Sequence, residues 1–156
     1  MKEQTLDASR RERVIVIGLD GATLDLVEPL IAAGRLKNLS KLIREGAFGV
    51  LASTIPMSTP TAWSSIVTGK NPGKHGIFDF LIMKKGSYEV VSVNSTFRRA
   101  EGIWNVLNRH GRRVVIVNVP FTYPPEKIED AMITGFITPR KAKDYTYPSD
   151  LALELK

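Results

Sequence analysis

The run Val14-Ile15-Val16-Ile17-Gly18-Leu19, closed by Asp20, most restricts what this chain can become. Apolar side chains at successive positions demand cover on both faces, the situation of a central strand in a parallel sheet. Arg13–Asp20 is read as such a strand, and Arg113–Val119 as a second buried strand closed by Pro120. Shorter strands are expected at Ala47–Ser53, at Tyr88–Val93 (as an edge strand or part of a cap) and at Ala131–Ile137. Helical patterns fall between them. Asp25–Ala33 is offset by Pro29 and ends at Gly34; Asn38–Glu45 carries Leu39, Leu42 and Ile43 on one face and stops at Gly46. Gly102–Arg109 buries Ile103, Val106 and Leu107 with Trp104 nearby, and Ser149–Leu155 begins a last helix. Strand and helix alternate, which predicts an α/β fold: a layered α/β/α arrangement on a mainly parallel sheet with right-handed crossovers.

A chain of 156 residues suits one domain with a real core. Residues 13–156 are assigned to it, and the charged stretch 1–12 is read as a flexible lead-in. That stretch lacks the apolar centre of a signal peptide, and no apolar run reaches the roughly 18–20 residues that span a bilayer, so a cytoplasmic protein without membrane contact is expected. With no cysteine, disulfides and thiolate metal ligands are excluded. A net charge of +6 favours anionic ligands. The basic residues are scattered over Arg98-Arg99, Arg109–Arg113 and Arg140–Lys143 without interleaved aromatics, so nucleic acid is not the expected partner.

Chemistry concentrates between Thr54 and Phe80. Pro60 suits the first turn of a helix, and the helix runs through Trp63 and Val67 to a stop at Gly69. Asn71-Pro72-Gly73 turns the chain beyond it. Thr59 then stands at the mouth of that helix, where backbone N–H groups and the positive end of the helix dipole would receive a phosphate. The plain alternative is a helix-capping hydroxyl worth about 1 kcal/mol. Asp20 is placed at the carboxyl end of the first strand, where ligands of parallel sheets bind. Its alternative is a strand-to-helix turn with Gly21.

The segment Ser58-Thr-Pro-Thr-Ala-Trp-Ser-Ser-Ile-Val-Thr-Gly-Lys-Asn-Pro-Gly-Lys-His-Gly-Ile-Phe-Asp-Phe80 resembles the nucleophile segment of the type I phosphodiesterase/nucleotide pyrophosphatase family, within the alkaline phosphatase superfamily. Asp20 after the first strand is the second anchor of the likeness. The resemblance implies hydrolysis of phosphate mono- or diesters of small molecules, with a hydroxyl attacking phosphorus to form a covalent intermediate that water releases. Carried over by position, Thr59 is the nucleophile and a metal contact, and Asp20 is a metal ligand. The implied cofactors are divalent ions: two Zn2+ in a complete site, with Mn2+ as the alternative. His75 and Asp79 take structural roles in the likeness. Where nucleotide pyrophosphatases of the family carry an asparagine after that aspartate, this chain has Phe80, which points to a different substrate subgroup.

Later aspartates and histidines complete the family's metal site. With two histidines in all, His75 and His110, this chain carries half of it. The resemblance therefore covers the N-terminal portion of the family's fold, and a missing C-terminal portion or a second copy of the chain would have to complete the site. Without completion, a non-catalytic anion-binding domain is the alternative. The Gly18–Thr23 stretch also faintly resembles the haloacid dehalogenase pattern, which wants a further aspartate where Gly18 stands. A Rossmann-type dinucleotide site is the weakest reading, because the first turn lacks Gly-x-Gly-x-x-Gly.

Overall fold

The computed structural model describes residues 13–155. The expected lead-in, 1–12, lies outside the described residues. The chain divides into two compact units, with the boundary between Ala47 and Phe48.

In the first unit, helix α1 (Leu24–Ala32) and helix α2 (Lys37–Glu45) are in contact. Glycine ends α1: Gly34 takes φ +70°, and the N–H groups of Gly34 and Arg35 bond back to the carbonyls of Ile31 and Leu30 at 2.9 Å. This satisfies carbonyls that the helix leaves over. Pro29 is accommodated inside α1. On α2, Leu39 and Ile43 are half-buried while Leu42 is exposed, so the apolar stripe is narrower than its spacing predicts. The strand expected at Arg13–Asp20 is not formed. Residues 13–19 carry no ladder, and Val14 is 85% exposed. An apolar run becomes a strand only where a neighbour takes up its backbone hydrogen bonds. The strand expected at Ala47–Ser53, across the unit boundary, is absent for the same reason.

The second unit holds helices α3 (Thr59–Thr68) and α4 (Pro72–His75), then a hairpin of β1 (Leu81–Met83) and β2 (Val90–Ser92). A 3-10 turn (Ser95–Phe97), α5 (Ile103–Arg109), β3 (Val115–Val119), β4 (Ala131–Thr134), β5 (Thr146–Tyr147) and α6 (Leu151–Glu154) complete it. β3 pairs with β4 in parallel and β4 with β5 antiparallel. The fold is mixed α/β. A mainly parallel layered sheet is not what the described residues form: they make a two-stranded antiparallel sheet and a three-stranded sheet with one parallel pair. β3 is an edge strand, not the doubly covered one expected, and Val115 and Val117 stay exposed.

Two apolar clusters hold the unit together. α3 contributes Val67 to the first, which joins Trp104, Ile128 and Met132. Trp104 is fully buried while Ile103 is exposed, so the expected stripe keeps the half-buried Val106 and Leu107 but has Trp104 in place of Ile103. Ile77, Val93 and Phe121 form the second cluster. Between the clusters, the Glu126 carboxylate accepts hydrogen bonds from the Trp104 indole at 3.0 Å, from Asn105 at 2.7 Å and from the Arg98 guanidinium. Arg98 also lies over the Trp104 ring, 5.1 Å from its centroid, with its side chain 4% exposed. Burial pulls its pKa down to about 10.

Glu126→Ala should cost about 3 kcal/mol in denaturant unfolding, because it leaves a buried guanidinium without its counter-charge. Gly135→Ala should cost about 2 kcal/mol, since a Cβ there would press into the Asn118 carbonyl at 2.6 Å, a contact of backbone against backbone. Wild-type stability in either variant would remove the corresponding role.

Candidate functional site at the mouth of α3

Ser58, with extended backbone (φ −151°, ψ 153°), precedes α3, so Thr59 and Pro60 occupy the first two helical positions, one place later than the sequence predicts. The Ser58 side chain makes no capping hydrogen bond to the first turn. The Ser58 hydroxyl is engaged elsewhere, 2.7 Å from that of Thr61, while the Thr61 hydroxyl donates to the Phe78 carbonyl at 2.7 Å. The Phe78 carbonyl can only accept, and the Thr61 hydroxyl is far nearer to it than that of Ser58 (3.4 Å), so the one Thr61 proton goes there and Ser58 is the donor between the two hydroxyls. Thr61 is fully buried. This relay clamps the opening of α3, the positive end of its helix dipole, to the returning loop. Thr59 is half-buried at that opening.

A second lock ties the far end of α3 to the same loop. Asn71 caps α4 by accepting from the Lys74 N–H at 3.1 Å, which delivers His75 into a fully buried position. The Ile77 N–H donates to His75 Nδ1 at 3.1 Å, which fixes the ring proton on Nε2, where it reaches the Ser65 hydroxyl at 2.9 Å. Desolvation, then the charge of Arg98, lowers the His75 pKa below its usual 6.5. His75 is therefore a neutral structural residue. Asp79 accepts from the Phe80 N–H at 2.7 Å and shapes the next turn.

Asp20 stands in the turn before α1, beside Gly21 with φ +69°, and belongs to the first unit, whereas Thr59 belongs to the second. Among the described residues no three histidine, cysteine or acidic side chains gather as a metal-holding group. A carboxylate and a hydroxyl suit a hard divalent ion, but two donors are fewer than the three protein ligands of a catalytic zinc. The ion's full ligand set is thus not met by these residues. Sequence reasoning missed the Ser58–Thr61–Phe78 relay. Its acceptor is a backbone carbonyl, which no residue letter marks, although the spacing Ser58-x-x-Thr61 was a usable hint of paired hydroxyls in one helical turn.

His75 gives a pH dependence of definite sign. A lowered folded pKa means that the neutral ring is favoured in the fold; its contribution is complete above pH 6.5 and is lost as pH falls through the folded value. Melting temperature should fall between pH 7 and pH 5, and His75→Gln should flatten that slope. An unchanged slope in the variant would remove His75 from the account.

No helix among the described residues is long and apolar enough to cross a membrane. No curated protein matches the chain, and no solved structure matches it. A family model described as type I phosphodiesterase / nucleotide pyrophosphatase matches residues 14–154. That family is generally metal-dependent and suggests a hydrolase of phosphodiester or pyrophosphate bonds. With its hydroxyl-bearing helix mouth, its locked return loop and a match spanning both units, the chain belongs to the type I phosphodiesterase / nucleotide pyrophosphatase family.

Proposed function

We propose that this protein takes part in divalent-metal-dependent hydrolysis of phosphate mono- or diesters of small molecules, with Thr59 as the nucleophile. The observation that supports it best is the position of Thr59 in the first turn of α3, inside the matched family region. An anionic phosphoryl group is stabilised at such a helix terminus. The Thr59 oxygen would form the new bond to phosphorus as the bond to the leaving oxygen breaks, and water would then cleave the phospho-threonine. The Ser58–Thr61–Phe78 relay would keep the first turn from rotating, holding that oxygen in line.

Asp20 is proposed as a ligand for the ion, with zinc the first choice and manganese the second. Because the described residues do not fill an ion's ligand set, no step is derived through the ion. The family does not favour a non-catalytic anion-binding domain.

Hydrolysis of bis(4-nitrophenyl) phosphate by the whole chain should require added Zn2+ or Mn2+. Thr59→Ala should lower it on the order of 10^3-fold, and Asp20→Asn should raise the metal concentration needed. Equal turnover in Thr59→Ala and wild type sinks the nucleophile assignment.

A further inference from the structure

Two hooks hold the loop that returns from α4 across α3. The Phe78 carbonyl is gripped by the Thr61 hydroxyl, and the Ile77 N–H is held by His75 Nδ1 at 3.1 Å. A hydroxyl and a carbonyl do not titrate near neutral pH, so the first hook is indifferent to it. The second depends on a lone pair that a single proton would occupy. The other ring nitrogen is committed as well, with Nε2 against the Ser65 hydroxyl of α3 at 2.9 Å. His75 is 0% exposed and Ile77 2%, so a conflict between them is not relieved by solvent.

The groups around the ring oppose a charge on it. α3 carries no titratable side chain from Thr59 to Thr68. On α4 and the loop beyond it the charged neighbours are Lys74 and Asp79; both are exposed, and Asp79 is turned to the Phe80 N–H. Two cations come from the segment after the 3-10 turn. The Arg99 N–H donates to the His75 carbonyl at 2.9 Å and its side chain lies against Gly76, while Arg98 repels a proton on the ring. Glu126 is already bonded to Arg98, Trp104 and Asn105. A protonated His75 would therefore set a donor against the Ile77 donor and a buried cation near a second one.

We propose that His75 is a proton-operated latch on the return loop: neutral, it holds Ile77 in place, and protonated at Nδ1, it releases Ile77 and loosens Phe78 at the mouth of α3. The step moves one proton from solvent to Nδ1 and breaks one hydrogen bond, with no covalent change in the chain. Gly76, with φ +77°, is the joint about which the released segment turns, since glycine tolerates the widest range of φ. The latch does not depend on what the protein hydrolyses. It is also a local event, separate from the loss of global stability with pH. Desolvation first, and Arg98 second, put its working range below pH 6.5.

The test is amide hydrogen exchange of the whole chain followed by NMR, expressed as protection factors so that the intrinsic pH dependence of exchange drops out. In wild type, protection of the Ile77 amide should fall about tenfold between pH 7 and pH 5, in step with titration of the His75 ring nitrogens, while the amides of β4 keep theirs. His75→Asn sets a side-chain carbonyl oxygen near the place of Nδ1 and takes up no proton, so its Ile77 protection should not change with pH. His75→Ala should leave Ile77 poorly protected at both pH values. The wild-type measurement decides even where a variant does not fold. Ile77 protection that stays level through the His75 titration, or that falls together with β4, would overturn the latch. So would an equal fall in His75→Asn.

Discussion

One carboxylate carries the architecture of the second unit. Glu126 takes hydrogen bonds from α5 through Trp104 and Asn105, and from the segment after the 3-10 turn through Arg98. Trp104 belongs to one apolar cluster, and Arg98 reaches the Phe121 carbonyl of the other at 3.5 Å. The two clusters are thus joined by a polar clasp and not by continuous apolar packing. A buried charge is costly unless it is paired and fully bonded. Burial first, and the charge of Arg98 second, lower the proton affinity of His75, which in turn fixes the loop that Thr61 holds. Electrostatics in the clasp and geometry at the mouth of α3 are consequently one connected problem.

Local rules made part of this fold legible. Gly34, Gly69 and Gly111 all stand at helix ends with positive φ, where the sequence places stops, and Pro60 marks the start of α3 within one residue. What those rules cannot see is partnership. Val14–Leu19 and Val115–Val119 look alike as apolar runs, yet one carries no ladder and the other is an edge strand with one neighbour. A β-branched run states a preference for extended backbone and says nothing about how many strands are available to satisfy it. The shift from Ile103 to Trp104 has a related cause. The indole N–H needs an acceptor, and Glu126 lies 22 residues away in sequence.

The candidate site divides along the same line. The position of Thr59 at a helix mouth was readable because proline and glycine punctuate that helix. The hydroxyl relay behind it was not, since Thr61 is bound to a main-chain atom 17 residues distant. His75 was read as a structural residue, and its burial and two hydrogen bonds agree.

The side of β3 that pairs with no strand among the described residues bears on what happens between molecules. An edge of Val-Ile-Val with no proline or lysine in it is a template on which another chain could grow a sheet. Asn118 interrupts that template. It adopts φ +56° at an irregularity in the ladder between Val117 and Val119, which bends the strand before a long flat edge can develop. A residue that looks like a blemish in the sheet thereby shortens the regular edge that β3 presents among the described residues.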